Sequence, residues 1–260
     1  MKVFITGASS GIGAALAKAY AARGAACALV ARRVEALESL RRSLPNADAH
    51  RTDAVDVTDT DALAAAAVDY LAECGVPDIV IANAGISHGT DADHPRDLAV
   101  FRRIIETNVI ATVATFAPFI AAMRQTPAAE GGRRLVAIAS VAGVRGLVGA
   151  GAYSASKAAV INFAESLRVE LRDSPIRVVT IAPGYIATPM TADNPYRMPF
   201  LMPVDRFAEC AVCAIESGTS FIVIPWQMAW IARVMRVLPN AVFDRVSARA
   251  RRKPRMPDPR

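Results

Sequence analysis

The chain has 260 residues, of which 53% are apolar and 21% are charged, and this composition excludes a disordered or a collagen-like protein. Its formal net charge is +6, but residues 245–260 hold seven basic residues and one acid, so this C-terminal segment carries the whole excess. Because residues 1–244 are formally neutral, the charge pattern argues against a fold that presents a basic face to nucleic acid.

Short apolar runs alternate with longer runs rich in alanine and leucine along the chain. The sequence predicts strands at 2–6, 26–31, 49–57, 78–83, 134–139, 177–182 and 220–224. It predicts helices at 11–23, 34–43, 59–74, 95–125, 152–173 and 204–217. Since the strands are apolar at consecutive positions, both of their faces should be buried, and their alternation with helices favours parallel crossovers. The pattern predicts an α/β domain over residues 1–225, with a doubly wound parallel sheet of about seven strands, the Rossmann fold.

A glycine-rich turn follows the first predicted strand. Gly7, Gly11 and Gly13 allow a tight turn into a helix whose free N–H groups can face a phosphate. The spacing is G-x-x-x-G-x-G rather than G-x-G-x-x-G. The turn therefore indicates a dinucleotide site, with a tight turn of no binding function as the alternative.

The end of the second predicted strand bears on the choice between NAD and NADP. An acid at this position binds the free ribose 2′-OH of NAD, and an arginine accommodates the 2′-phosphate of NADP. The strand ends at Ala31, followed by Arg32 and Arg33, so there is no acid here. The pattern favours NADP, the alternative being that both arginines are solvated residues at a helix start.

A tyrosine and a lysine are spaced for proton transfer in a later helix. Tyr153 and Lys157 are four residues apart, so they share one face, where an ammonium can lower the pKa of a phenol. Ser140 ends the fifth predicted strand, at the sheet edge where a hydroxyl can hold a substrate carbonyl. Asn108 lies within a helix and has no evident local use. Taken alone, the Tyr-x-x-x-Lys pair is a common coincidence, and a surface tyrosine with a solvated lysine is the favoured interpretation of it.

Together these motifs resemble those of the short-chain dehydrogenase/reductase family, in the same order and spacing, over residues 1 to about 225. They are TGASSGIG at 6–13, DV at 56–57, NAG at 83–85, Asn108, Ser140, YSASK at 153–157 and PGYIATPM at 183–190. The resemblance implies an NADP-dependent oxidoreductase that transfers hydride between nicotinamide and a carbonyl or secondary alcohol.

The resemblance also implies a role for each residue. Tyr153 is similar to the family's general acid/base, and Lys157 would lower its pKa and bind the nicotinamide ribose. Ser140 would orient and polarise the carbonyl, and Asn108 would hold a water that links Lys157 to solvent. The residues implied to contact the cofactor are Gly7, Ser9, Ser10, Gly11, Ile12, Arg32, Arg33, Asp56, Val57, Asn83, Ala84, Gly85, Tyr153, Lys157, Pro183, Gly184, Ile186 and Thr188.

The expected substrate pocket is largely apolar. Its predicted lining comes from residues 141–148, Tyr185 and the segment 188–203, with Arg145 and Arg197 as its basic members. Such a lining favours a lipophilic ketone, aldehyde or alcohol, although these residues could equally be packing. Two other functions stay open: an epimerase or dehydratase, for which the chain leaves little room for a substrate domain, and a non-catalytic NADP-binding redox sensor. The intact set of serine, tyrosine and lysine favours the oxidoreductase.

Cysteine usage and the N-terminus predict a cytoplasmic protein without a metal. The four cysteines are too few for a disulfide framework, and Met1 leads directly into a strand. Cys210 and Cys213 lack the two further ligands of a zinc site. The resemblance implies a homo-dimer or tetramer that pairs through the helices at 95–125 and 152–173.

The C-terminal segment is predicted to be an addition to the domain. Residues 226–244 read as an apolar helical extension and residues 245–260 as a basic, disordered tail. Prolines and arginines interrupt the apolar stretch, which argues against a membrane-spanning helix. The favoured interpretation is that this helix packs on the fold or across a dimer. Trp226, Trp230 and the basic tail are also compatible with a peripheral contact of residues 226–260 with anionic lipid.

Overall fold

The computed structural model describes residues 1–127, 132–248 and 251–255. Its strands are β1 Lys2–Thr6, β2 Ala26–Ala31, β3 Arg51–Ala54, β4 Ile79–Ala82, β5 Arg133–Ile138, β6 Ile176–Pro183, β7 Ile186–Ala187, β8 Met202–Pro203 and β9 Phe221–Ile224. Its α-helices are α1 Gly11–Ala21, α2 Val34–Ser43, α3 Thr60–Cys74, α4 Asp97–Ile105, α5 Ala111–Gln125, α6 Gly151–Glu170, α7 Pro189–Ala192, α8 Val204–Glu216, α9 Trp226–Val237 and α10 Asn240–Ser247. Each predicted strand and helix of the domain corresponds to one of these elements.

Seven strands form one parallel sheet in the order β3-β2-β1-β4-β5-β6-β9, which confirms the predicted doubly wound fold. The chain first builds outwards from β1 to β3 and then returns to place β4 on the other side of β1. The loops that leave the carboxyl ends of β1 and β4 therefore turn away from each other. A ligand crevice opens at such a reversal of strand order.

Successive side chains along each strand lie on opposite faces of the sheet. In β1, Val3 and Ile5 belong to the core beneath α1, α2 and α8, whereas Phe4 between them belongs to the core beneath α3, α5 and α6. On the second face the Phe4 ring packs at a 4.8 Å centroid distance on Phe119. Because both faces are covered, the strands are apolar at consecutive positions, as the sequence indicates.

One long helical stretch runs from Asp97 to Gln125 and contains a π-helical turn at Glu106–Ile110. Its length and composition would also suit a membrane span, but Phe116, Phe119 and Met123 are buried against the sheet. The π turn adds a residue to the helix, and such turns are frequent at functional sites. Here the turn contains the buried Asn108.

The C-terminal extension consists of two helices, α9 and α10, because the chain leaves the helical conformation at Leu238 before Pro239. Met228 and Ala232 of α9 are buried on the domain, whereas Trp226 is 67% and Trp230 60% exposed. One face of α9 therefore packs on the fold and the other faces solvent.

The basic tail differs from the disordered segment that its composition predicts. Helix α10 extends through residues 245–247, and residues 251–255 lie against the loop that follows β4. Two acidic side chains of that region, Asp91 and Asp97, pair with basic residues of the tail, which gives the physical reason for its order. The remaining tail residues, 249–250 and 256–260, lie outside the described residues.

Candidate active site

A cavity of about 400 Å³ lies at the carboxyl edge of the sheet, over β1, β2, β4, β5 and β6. Every residue predicted to contact the cofactor lines it, and so does Ser140. The cavity thus brings together residues from position 7 to position 188. Its lining also includes Ala31 at the end of β2 and Pro189, Met190 and Thr191 of the predicted substrate segment. The lining residues that no motif indicated are Thr58, Ile86, Arg103, Thr107, Ile138 and Ala139. Of these, Arg103 and Thr107 lie one helical turn apart in the helical stretch that contains Asn108, which is the one sequence signal that could have indicated them.

The glycine turn after β1 packs so closely on neighbouring backbone that a side chain at two of its positions would collide with it. Gly7 has a φ of 68°, and a Cβ there would lie 2.7 Å from the Ala84 Cα. A Cβ on Gly13 would lie 2.3 Å from the Gly7 carbonyl oxygen. The first turn of α1 contains no acid, and its N-cap Ser10 makes no side-chain capping bond, so the N–H groups at this helix end are available to an anion. The glycine turn and this helix end together form a cradle that fits the pyrophosphate of a dinucleotide.

Asn83 fixes the two loops of the crevice to each other. Its side-chain Nδ2 donates to the carbonyls of Thr6 at 3.0 Å and Gly7 at 3.1 Å, and its backbone N–H donates to the Thr6 Oγ1 at 3.2 Å. The side-chain amide of Asn83 thus fixes the position of the glycine turn relative to the loop after β4, and both border the cavity.

Two guanidinium groups, those of Arg32 and Arg33, stand at the end of the cavity that lies over β2. Arg32 lies 3.6 Å from the Asp56 carboxylate, and Arg33 donates to the Ser9 hydroxyl at 3.1 Å. Burial opposes the ionisation of Asp56, but hydrogen bonds from Thr58 and the nearby Arg32 outweigh it and lower the pKa of Asp56. With one acid facing two arginines, this end of the cavity keeps a net positive charge.

Tyr153, Lys157 and Ser140 converge at the opposite end. The Lys157 Nζ lies 5.9 Å from the centroid of the Tyr153 ring and donates at 2.8 Å to the Ile138 carbonyl at the end of β5. Burial raises the pKa of Tyr153, and a hydrogen bond with Ser140 lowers it. Burial lowers the pKa of Lys157 to about 8. The hydrogen bond with Ser140 thus favours the ionised form of Tyr153. That Lys157 also lowers the pKa of Tyr153 stays a prediction.

Asn108 lies just behind this end of the cavity, fully buried in the π turn. Its Oδ1 accepts from the Ile86 N–H at 2.8 Å, and its Nδ2 donates to the Ile86 carbonyl at 3.0 Å and to the Ser156 Oγ at 2.9 Å. The side chain therefore ties the loop after β4 to α6. A Cβ on Gly85 would lie 3.2 Å from the Asn108 Oδ1 and 3.5 Å from the Lys157 Nζ, so a side chain at this position would press on the Asn108 amide. The water link expected for Asn108 stays a prediction.

Arg145 and Arg197 were expected to line the substrate pocket. Instead, Arg145 donates to the carbonyls of Met235 and Leu238 and lies 4.0 Å over the Phe243 ring, so it anchors the C-terminal helices. Arg197 is exposed. Arg145 is turned away from the predicted pocket because the C-terminal helices, whose packing on the fold was one of the two interpretations of the sequence, supply the carbonyls that it binds.

Aromatic groups and one unexpected cation lie on the substrate side. The rings of Tyr185 and Tyr196 pack at a centroid distance of 6.3 Å, and the neighbouring Tyr153 contributes to the raised pKa of Tyr196, after burial and Tyr185. The Lys253 Nζ lies 5.8 Å from the Tyr153 ring centroid. Sequence reasoning missed Lys253, because nothing local to a basic tail indicates which surface it meets.

The chain was compared with known proteins. The family model described as short chain dehydrogenase matches residues 1–198. An uncharacterized oxidoreductase of Myxococcus xanthus is 39% identical over 248 residues, which cover 95% of this chain and 96% of that protein. A cis-4-hydroxycyclohexanecarboxylate dehydrogenase of Sinomonas cyclohexanicum is 40% identical over 193 residues, 74% of this chain and 75% of the other. The crystal structure of a 3-ketoacyl-(acyl-carrier-protein) reductase of Brucella melitensis complexed with NADH superimposes with a TM-score of 0.77, at 26% identity over 86% of this chain and 96% of that one.

Proposed function

Because the chain belongs to the short-chain dehydrogenase/reductase family and is an oxidoreductase of that family, we propose that it transfers hydride between NADP(H) and a carbonyl or secondary alcohol of a lipophilic small molecule. The observation that carries this proposal is the convergence of Ser140, Tyr153 and Lys157 in the cavity that also holds the glycine cradle.

Each of the three side chains has a distinct task in carbonyl reduction. When bound, the reduced nicotinamide supplies the hydride that forms the new C–H bond. The Tyr153 phenol gives its proton to the carbonyl oxygen, which completes the alcohol, and the Ser140 hydroxyl donates a hydrogen bond to the same oxygen. With its pKa at about 8, the Lys157 ammonium is charged at neutral pH and stabilises the phenolate that remains.

The preference for NADP rests on Arg32 and Arg33. Both guanidinium groups line the end of the cavity over β2, where the adenosine would bind, and Ala31 stands where an acid would bind the 2′-OH of NAD. A solved relative was complexed with NADH, so the relatives do not decide the cofactor, and the preference for NADP depends on the residues of this chain.

The preference for a lipophilic substrate rests on the aromatic and apolar side chains near Tyr153. Met190 lines the cavity. The rings of Tyr185 and Tyr196 pack on each other, and Tyr196 lies near Tyr153. A 40% identical relative is named for a hydroxylated cyclohexane carboxylate, a substrate with an apolar ring and an alcohol.

The decisive test is NADPH oxidation by the Tyr153→Phe variant with a panel of medium- and long-chain ketones and aldehydes. Loss of the phenolic proton should lower the rate at least ~100-fold, because positioned acid–base groups contribute roughly 10²- to 10⁴-fold. Binding of NADPH should be largely kept. Tyr20→Phe is the matched control, since the buried Tyr20 hydroxyl has no hydrogen-bond partner in the described parts of the chain. Near-normal turnover by Tyr153→Phe would contradict the mechanism.

We also propose that the enzyme is a homo-oligomer that pairs through α4, α5 and α6. Apolar side chains on the outer faces of these helices are exposed: Leu98, Phe101, Val113 and Val169. A second copy of the same chain would remove this apolar surface from water.

A further inference from the structure

The chain returns to the active site after α10. Residues 251–255, here called the strap, lie against the loop after β4, where the Gly89 N–H donates to the Pro254 carbonyl at 2.8 Å. A Cβ on Gly89 would lie 2.1 Å from the strap backbone, and a Cβ on Gly149 would lie 2.8 Å from a strap side chain. Arg251 donates at 3.0 Å to a backbone carbonyl between α7 and β8. The strap thus contacts three loops at the edge of the substrate side, and glycines in two of them let it approach closely.

Two ion pairs hold the strap in place. The Arg255 guanidinium donates to both oxygens of Asp97, at 3.0 Å and 2.8 Å, and Arg252 lies 2.5 Å from an oxygen of Asp91. Asp97 is 6% exposed, and the hydrogen bond from Arg255 lowers its pKa to about 2. A bidentate arginine–carboxylate pair is more specific in its geometry than a single contact. These arginines are therefore neutralised by acids of the domain.

Lys253, between them, is not neutralised in this way. Its Nζ lies 2.7 Å from the Ser87 Oγ and 5.8 Å from the Tyr153 ring centroid, and within the described ranges no carboxylate lies at ion-pair distance from it. Partial burial lowers the pKa of Lys253. The neighbouring His88 adds no negative charge, and its own pKa is lowered by burial and by Lys253. Among the residues that the structure describes, this partly buried ammonium thus stands beside the proposed proton donor without an anionic partner.

Burial of the Lys253 ammonium costs free energy of desolvation unless an anion binds to it. The position beside Tyr153 indicates where the anion would come from, since the reacting carbon of a substrate must lie next to the Tyr153 hydroxyl. One ammonium matches the single charge of a carboxylate, and the Ser87 hydroxyl can donate a second hydrogen bond to the same group.

We propose that the strap closes the substrate side of the active site and that Lys253 binds a carboxylate of the substrate, so that the enzyme acts on keto acids or hydroxy acids. The carboxylate lies a few bonds from the reacting carbon, and the apolar part of the substrate contacts Tyr185 and Tyr196. This inference rests on the proposed function and assigns its substrate class.

The test compares levulinate and its longer homologues with their methyl esters, in the wild type and in Lys253→Met. Methionine keeps most of the side-chain length and removes the charge. For the best keto acid, kcat/KM should fall at least about tenfold, mainly through KM, because a hydrogen bond to a charged group is lost. For the corresponding ester the loss should stay below about threefold. Lys253→Arg should keep most of the preference for the acid, and Lys18→Met, at an exposed lysine of α1, serves as the control.

Two results would overturn the inference. One is an equal loss for acid and ester in Lys253→Met, which would make Lys253 a residue that only positions Tyr153. The other is a shortened protein ending at Ala248 that gains activity on acids and esters alike, which would make the strap an inhibitory plug.

A binding measurement separates this inference from the proposed function. Calorimetric titration with heptanoate, which cannot be reduced, should show binding that weakens about tenfold or more in Lys253→Met. If the wild type reduces no substrate but still binds heptanoate through Lys253, the proposed reaction fails and the carboxylate site stands. If all variants bind heptanoate equally while the wild type reduces ketones, the carboxylate site at Lys253 is refuted and the proposed reaction is supported.

Discussion

Replacement of Arg32 by alanine should lower the affinity for NADPH and leave that for NADH nearly unchanged. A hydrogen bond from arginine to a phosphate contributes roughly 1.5–3 kcal/mol, equivalent to about 10- to 150-fold in Kd. Arg32 is 59% exposed and also faces Asp56 at 3.6 Å, so solvent and this carboxylate both weaken its field at the 2′-phosphate. The expected loss therefore lies at the lower limit, about tenfold.

The assay is a titration of each variant with NADPH and with NADH at low and high salt. Arg32→Ala and Arg33→Ala together should approach equal affinities for the two cofactors. Salt should reduce the difference between them in the wild type, because the contact is exposed. Arg172→Ala, which removes an exposed arginine far from the cavity, is the control. Tighter binding of NADH than of NADPH by ~10-fold in the wild type, or an equal loss for both cofactors in Arg32→Ala, would refute the reasoning.

Three further predictions concern pH, assembly and membranes. The rate of carbonyl reduction should fall as the pH rises above about 8, where the buried Lys157 loses its charge, and a kcat/KM profile at saturating NADPH would show this; a flat profile to pH 10 would contradict it. Val113→Glu should shift the protein towards the monomer in light scattering, whereas Val68→Glu, on the exposed face of α3, should not; identical masses would contradict pairing through α5. Replacement of Trp226 and Trp230 by serine should reduce co-sedimentation with anionic vesicles at least ~5-fold, and equal pelleting of variant and wild type would remove the membrane contact.

The sheet and the cavity could be predicted because their signals are local. Except for β3, whose sequence RTDA is mostly polar, each strand of the seven-stranded sheet contains a short apolar run. The turn at Gly7 needs a positive φ, which the residue type itself indicates. Tyr153 and Lys157 share a helix face, so their spacing alone places them together.

What could not be predicted depends on contacts between distant parts of the chain. The sequence predicts Arg145 in the pocket lining, but its hydrogen-bond partners, the carbonyls of Met235 and Leu238, are 90 and 93 residues away. Lys253 meets Ser87 across 166 residues. A run of arginine, lysine and proline predicts disorder, since it contains no apolar periodicity, and only the folded sheet places the acids that order it.

The strap and the helices that precede it follow residue 198, where the match to the family model ends. The residues of the proposed hydride transfer and cofactor site thus lie in one stretch of the chain, and the proposed cover over the substrate lies in another. A change in the second stretch would leave the first intact. Two homologues that align well over the nucleotide-binding domain can therefore differ in the acids or alcohols they accept, and substrate assignments are safest when they are transferred between chains that also agree after residue 198.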